Sequence, residues 1–130
     1  MKKLFDDVSE ACSKVVTESY STSFTLATKM LDRSIRQDIY NIYGFVRFAD
    51  EIVDSFHDFN KQELLNLFES DLKKSIKDKI SLNPILNSFQ KTFNKYEIDY
   101  KRVNSFLKSM KWDLNKKQYL KKNMGERGKQ

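Results

Sequence analysis

Apolar residues recur at three- and four-residue spacing along most of the chain, which is the pattern of amphipathic helices. Segments with this spacing cover residues 4–17, 24–31, 61–80, 85–96 and 100–119. Short polar breaks separate them, and the clearest is Ser81-Leu82-Asn83-Pro84, where Pro84 suits the first turn of the next helix. A longer segment, 36–57, has one Gly and no Pro. The pattern therefore predicts an all-α chain, a bundle of about six helices.

The first of these helices is predicted to bury an apolar face. Its members are Leu4, Phe5, Val8, Ala11, Cys12, Val15 and Val16. Cys12 is the only cysteine, so the chain has no internal disulfide, which fits a reducing compartment. We interpret Cys12 as a small core residue rather than a nucleophile.

The segment 36–57 is apolar on nearly every side, whereas the other helices have one apolar face. At about 100° per residue, its polar side chains fall within a stripe roughly 80° wide. The stripe consists of Arg36, Tyr40, Tyr43, Arg47, Asp50 and Asp54. A helix that is apolar nearly all round is buried, and buried carboxylates are costly unless they are paired, hydrated or bound to metal. We therefore expect a buried helix whose stripe is the wall of a polar cavity.

Asp50 and Asp54 are candidate ligands for a divalent metal ion. Mg²⁺ is normally held by one or two carboxylates together with substrate phosphates, and Arg47, one turn earlier, can neutralise phosphate oxygens. Taken alone, two aspartates four residues apart are typical of a solvated helix face. The apolar surroundings favour a site for Mg²⁺ and a diphosphate.

Two polar features outside this helix are interpreted as structural rather than functional. The hydroxyl-rich run 19–23 is typical of a helix start or kink, and the alternative is a group of neutral donors for an anionic ligand. His57 is the only histidine and has no second His or Cys at ligand spacing. We interpret His57 as a solvated residue at a helix end.

The net charge of +6 is concentrated at the end of the chain, because residues 111–130 carry seven Lys and Arg against two acidic residues. Such a tail is usually solvated, so nucleic-acid binding is not expected. No run of about 18 apolar residues occurs, and the first residues lack the apolar core of a signal peptide. We expect a cytoplasmic protein, with peripheral membrane contact as the alternative.

Three blocks of the sequence resemble the squalene and phytoene synthase family. They are Ser21-Thr22-Ser23-Phe24, then Asn41-Ile42-Tyr43, and then Arg47-Phe48-Ala49-Asp50-Glu51-Ile52-Val53-Asp54. The later segment from Ser109 to Tyr119 is similar to the family's Met-x-x-Asp-Leu-x-x-x-x-Tyr motif. The resemblance extends from about Phe5 to Leu120 and is nearest to bacterial phytoene synthases. It divides the chain into residues 1–120, the N-terminal part of such a domain, and a basic tail, 121–130.

The resemblance implies a partial isoprenoid-synthase bundle and a prenyltransferase of carotenoid biosynthesis. The implied reaction is head-to-head condensation of two geranylgeranyl diphosphates to phytoene, through a cyclopropyl diphosphate. Asp50 and Asp54 would be the first aspartate-rich motif, binding Mg²⁺ or alternatively Mn²⁺. Ser21, Tyr43 and Arg47 would contact the diphosphate, Arg47 and the two aspartates would be catalytic, and Phe24 would line the prenyl channel.

The chain departs from the family in length, because members of the family are longer and carry a second aspartate-rich motif. We therefore expect a truncated copy that is inactive alone, or one half of an enzyme whose other half is a separate chain. Two alternatives remain open: a squalene or dehydrosqualene synthase-like fragment, and a non-catalytic helical interaction module. The roles of Tyr20 and Asp113 are left open.

Overall fold

Six α-helices make up the part of the chain that the computed structural model describes, which is the backbone of residues 1–128 and the side chains of residues 1–124. In chain order the helices are α1 (Lys2–Tyr20), α2 (Thr22–Lys29), α3 (Arg33–Asp54), α4 (Lys61–Asp78), α5 (Pro84–Lys95) and α6 (Tyr100–Gly128). Residues 1–128 contain no β-strand. The prediction of an all-α chain with about six helices is confirmed.

Short polar side chains begin four of the helices, as expected from the breaks in the pattern. Ser21 alone separates α1 from α2, and its Oγ accepts a hydrogen bond from the Phe24 amide at 3.0 Å. Asp32 and Asn60 cap α3 and α4 in the same way. Asn83 caps α5, with Pro84 in the first turn. These caps fix where each helix starts.

The apolar core lies where α3 meets α4, α5 and α6. Phe45 of α3 is at its centre, because its ring stacks on Phe89 of α5 at 4.2 Å and on Phe68 of α4 at 5.5 Å between ring centroids. Fully buried leucines surround the three rings, and they are Leu65, Leu72, Leu86, Leu107 and Leu114. The core therefore holds one side of α3 firmly against three other helices.

Helix α1 contributes no residue to this core, and the prediction that it buries its apolar face is wrong. Four of the seven apolar residues are exposed, and Phe5, Cys12 and Val16 are only half-buried. The side it turns to α3 and α5 consists of Ser9, Ser13 and Thr17, which are fully buried. Leu4, Val8 and Val15 lie on the opposite side and are 58%, 51% and 60% exposed. Each protein-facing hydroxyl has a hydrogen-bond partner, and the Ser13 hydroxyl is bonded to that of Ser88 on α5. Small hydroxyl residues let the helices approach more closely than valine or leucine would.

Helix α3 begins at Arg33 and ends at Asp54, so the predicted span 36–57 lies about three residues too late. The prediction that it is buried nearly all round is confirmed from Arg36 to Val53, where every residue is buried or half-buried. Its fully buried side carries Phe45, Ala49 and Ile52. The opposite side, which we call the open side, is half-buried and ends at the exposed Asp54. His57, as predicted, is an exposed residue beyond the helix end.

Two residues of the predicted polar stripe, Tyr40 and Arg36, have structural roles instead. Tyr40 is buried, with 4% of its surface exposed. The Arg36 guanidinium donates to the carbonyl oxygens of Leu31 and Lys29 at 2.9 and 2.7 Å, and it thereby caps the end of α2. The stripe on the open side of α3 is therefore shorter than predicted and starts at Tyr43.

Helix α6 continues through most of the predicted basic tail, because it is helical as far as Gly128. Residues 129–130 of that tail lie outside the described residues. Among the described helices, none is both long enough and apolar enough to cross a membrane.

The contact between α1 and α3 makes Gly44 sensitive to substitution. A Cβ at Gly44 would lie 3.1 Å from Ser13 Oγ, which is tighter than ordinary van der Waals contact, and 3.5 Å from Ser13 Cα. We expect Gly44→Val to lower the free energy of unfolding by about 1–3 kcal/mol, measured by urea denaturation. Val15→Ser, on the exposed side of α1, is the control and should change it by less than about 0.5 kcal/mol. Equal effects would contradict this packing of α1.

Candidate active site

The open side of α3 carries four of the predicted site residues in order along the helix. Tyr43, Arg47 and Asp50 are half-buried, and Asp54 is exposed. They lie opposite Phe45 and Ala49, because the two sets are about half a helical turn apart at 100° per residue. The core therefore fixes the direction in which the four side chains point.

Asp50 is in an environment that disfavours its charged form. Burial raises the pKa of its carboxyl, and the neighbouring carboxylates of Asp54 and Asp113 raise it further. Arg47 and Lys117 oppose the shift, but the net direction is upward. A cation placed beside Asp50 would relieve this cost.

Asp54, one turn after Asp50, is paired with Lys117 of α6. The side chains of Asp54 and Lys117 are 47% and 54% exposed, so solvent screens the ion pair. The helix that carries Asp113 and Lys117 thus borders the open side of α3. Asp113 is half-buried and close enough to raise the pKa of Asp50.

Arg47 is held by neighbours on two sides. Its Nη2 donates to Glu51 Oε2 at 3.0 Å, and its guanidinium carbon lies 4.8 Å from the centre of the Tyr20 ring. Its Nε–H is buried and has no hydrogen-bond partner among the described residues. A buried donor without a partner is costly, and an acceptor placed beside Nε would relieve that cost.

Glu51 is a site residue that the sequence interpretation left out. Its carboxylate accepts hydrogen bonds from Arg47 and from the Ser55 hydroxyl, and the Ser55 bond is the main cause of its lowered pKa. The same carboxylate raises the pKa of the Tyr20 phenol. Its position four residues after Arg47 was the available signal, since such pairs face each other on a helix. Glu51 therefore orients the side chains of Arg47 and Tyr20.

Helix α2 brings the other two predicted residues to this side of α3. The Phe24 ring stacks on Tyr43, with 4.6 Å between ring centroids and 26° between ring planes. Ser21 is half-buried next to Tyr20, and its oxygen accepts the capping hydrogen bond of α2. The capping interpretation of Ser21 is thus correct, and its hydroxyl hydrogen is still able to donate to an anion.

The donor set fits a metal ion that shares its ligands with a substrate. Within the described residues, no group of three or more His, Cys, Asp or Glu side chains is arranged to hold a metal by itself. Two carboxylates one turn apart, one half-buried and one exposed, on the same side of α3 as Arg47, suit Mg²⁺ completed by water and phosphate oxygens. They do not suit a closed site made of protein ligands alone.

Comparison with known proteins gives one match. The family model for squalene/phytoene synthase matches residues 17–125, a segment that contains all six predicted site residues. Searches of curated proteins and of solved structures gave no match. The family comprises squalene- and phytoene-type prenyltransferases with an all-α isoprenoid-synthase fold, in agreement with the six helices. Since the match covers most of the chain, the protein belongs to the squalene/phytoene synthase family.

Proposed function

We propose that α3 binds the diphosphate group of a prenyl diphosphate together with Mg²⁺, in a head-to-head condensation that yields phytoene from two geranylgeranyl diphosphates. Asp50 and Asp54 hold the metal, and Mn²⁺ is an alternative occupant. Arg47, Ser21 and Tyr43 contact the diphosphate, and Phe24 lines the channel for the prenyl chain.

The unpartnered Arg47 Nε–H is the observation that carries this proposal. It is buried next to the half-buried Asp50, on the open side of α3, within the segment that matches the family. An arginine that donates two hydrogen bonds in one plane recognises phosphate oxygens well. Glu51 already occupies Nη2, so Nε and Nη1 are the nitrogens left for a ligand.

Each side chain has a task in the departure of the diphosphate. Arg47 stabilises the negative charge that develops on the leaving group, and Glu51 keeps the guanidinium in place. Bound Mg²⁺ supplies further charge neutralisation of the diphosphate oxygens. The stacked rings of Phe24 and Tyr43 offer aromatic faces to a prenyl cation.

The product and the location belong to the proposal as well. We favour phytoene over squalene or dehydrosqualene because of the sequence resemblance to bacterial phytoene synthases. We place the protein in the cytoplasm, in peripheral contact with the membrane that takes up the apolar product. Nucleic acid is not an expected partner.

A non-catalytic helical interaction module is a second candidate. The exposed apolar side of α1, with Leu4, Val8 and Val15, favours it, since isolated proteins rarely expose such contiguous faces. The same side also suits contact with a separate chain that carries the second half of the enzyme. The two candidates differ in whether the chain binds a prenyl diphosphate with a metal ion.

Binding of a prenyl diphosphate analogue should require both aspartates. At about 100 times the dissociation constant, the analogue with Mg²⁺ should stabilise the chain by about 2.7 kcal/mol, seen as a rise in the melting temperature. Asp50→Asn and Asp54→Asn should abolish this rise. Asp58→Asn, an exposed aspartate beyond α3, is the matched control and should retain it. No rise in the wild type would favour the interaction module, and a rise that persists in both site variants would contradict the assignment of Asp50 and Asp54 as metal ligands.

When no metal is bound, the charged carboxylate of Asp50 should lower the stability of the folded chain. Because the pKa of Asp50 is raised in the folded state, the folded chain binds its proton more tightly than the unfolded chain. Stability should therefore fall as the pH rises from 3.8, the unfolded value, through the raised pKa. In metal-free urea titrations Asp50→Asn should be more stable than the wild type at pH 7, and this gain should shrink toward pH 3.5. A loss of stability at pH 7 would contradict the electrostatic argument.

The 130-residue chain alone should show little or no turnover of labelled geranylgeranyl diphosphate. The proposed site contains one pair of aspartates, and its side chains are half-buried or exposed, so that water can reach and quench a carbocation. Product analysis by radiochromatography tests this expectation. Formation of phytoene by the chain alone would contradict it, whereas activity restored by a separate chain with a second aspartate-rich motif would support a split enzyme.

A further inference from the structure

A small basic pocket lies where α3 ends, α4 begins and α6 passes both. It has a volume of about 190 Å³. Its charged lining consists of Asp54, Lys61, Lys117 and Lys121, and His57 is at its edge. We call it the lysine pocket. Three ammonium groups therefore face one carboxylate.

Lys61 is the buried member of the lysine pocket. Only 9% of the residue is exposed, and its Nζ donates to the Val53 carbonyl at 2.9 Å, at the C-terminal end of α3. That bond satisfies one of three ammonium donors. Burial lowers the pKa of Lys61, and the positive charges of Lys117 and Lys121 lower it further. A buried cation among other cations is stabilised by an anion.

Lys117 connects the lysine pocket to the proposed metal site. Its ammonium is bonded to Asp54, which is also a proposed metal ligand. A divalent cation at Asp54 would compete with Lys117 for the same carboxylate. Once displaced, Lys117 would face the pocket together with Lys61 and Lys121, with no carboxylate left to neutralise them.

We propose that the lysine pocket binds a diphosphate group, and that Lys117 exchanges Asp54 for a diphosphate oxygen when a divalent cation binds Asp54. The identity of the anion rests on the proposed function, whereas the pocket and its excess of positive charge do not. The exchange keeps Asp54 paired before the metal arrives and adds a cation to the substrate afterwards.

Inorganic pyrophosphate without divalent metal tests the pocket itself. In calorimetric titrations of the full chain, the double variant Lys117→Gln with Lys121→Gln should bind pyrophosphate at least tenfold more weakly than the wild type. Both residues are exposed, so their replacement should leave the fold intact. Lys116→Gln with Lys122→Gln removes the same charge from the same helix outside the pocket and should bind like the wild type. If pyrophosphate binding weakened equally in both double variants, or in neither, the proposal that the lysine pocket binds this anion would be wrong.

Inorganic phosphate distinguishes the size of the anion. Pyrophosphate should bind more tightly than phosphate in the wild type, because it can reach both Lys61 and Lys121 while Lys117 stays paired with Asp54 in the absence of metal. The advantage should be lost in the variant with Lys117→Gln and Lys121→Gln. Equal affinities in the wild type would overturn the assignment of a diphosphate.

The Mn²⁺ ion tests the exchange. Without any anion, Lys117→Gln should bind Mn²⁺ severalfold more tightly than the wild type, because the competing ammonium is gone, as measured from the paramagnetic resonance signal of free Mn²⁺. Lys116→Gln is the control for the change in net charge and should show a smaller gain. Equal gains would overturn the exchange. If no variant binds Mn²⁺, the exchange and the proposed metal site both fail, and the pyrophosphate comparison still decides the pocket.

Discussion

The stacking of Phe45 on the rings of Phe68 and Phe89 is the interaction on which the rest of the structure depends. It fixes the rotation of α3, the helix that contacts all five others. Once the aromatic side is buried, Arg47, Asp50 and Asp54 must point away from the core. The same packing that stabilises the fold thus directs three charged groups to the side of α3 that faces away from the core.

The helices and their starts could be predicted because they depend on local chemistry. Ser21, Asp32 and Asn83 act as caps through atoms two or three residues away. The orientation of α1 could not be predicted in this way, since its sequence contains both an apolar stripe and a hydroxyl stripe. Ser9 and Thr17 bond to carbonyls one turn earlier, so their burial costs little, and Gly44 offers a surface that only small side chains fit. Hydrophobicity alone favoured the wrong side.

The candidate site likewise contains some contacts that local sequence predicts and others that depend on how the helices pack. The shared face of Arg47, Asp50 and Asp54 follows from helical spacing, and so does the pairing of Arg47 with Glu51, which a check of i and i+4 partners would have found. The contact of Lys117 with Asp54 joins residues 63 positions apart and depends on how α6 docks. The stacking of Phe24 on Tyr43 likewise depends on the angle between α2 and α3. Such contacts become visible only once the helices are assembled.

The hydroxyl contact between α1 and its neighbours also limits how this protein can change in evolution. At Ser13, Gly44 and Ser88 three backbones come so close that a larger side chain at any one position must displace the others. A larger side chain at one of these positions can therefore be tolerated only if the side chain at another becomes smaller. Among descendants of this sequence the three positions should vary together and stay small, so their covariation would record the helix contact even where the active-site residues have been lost.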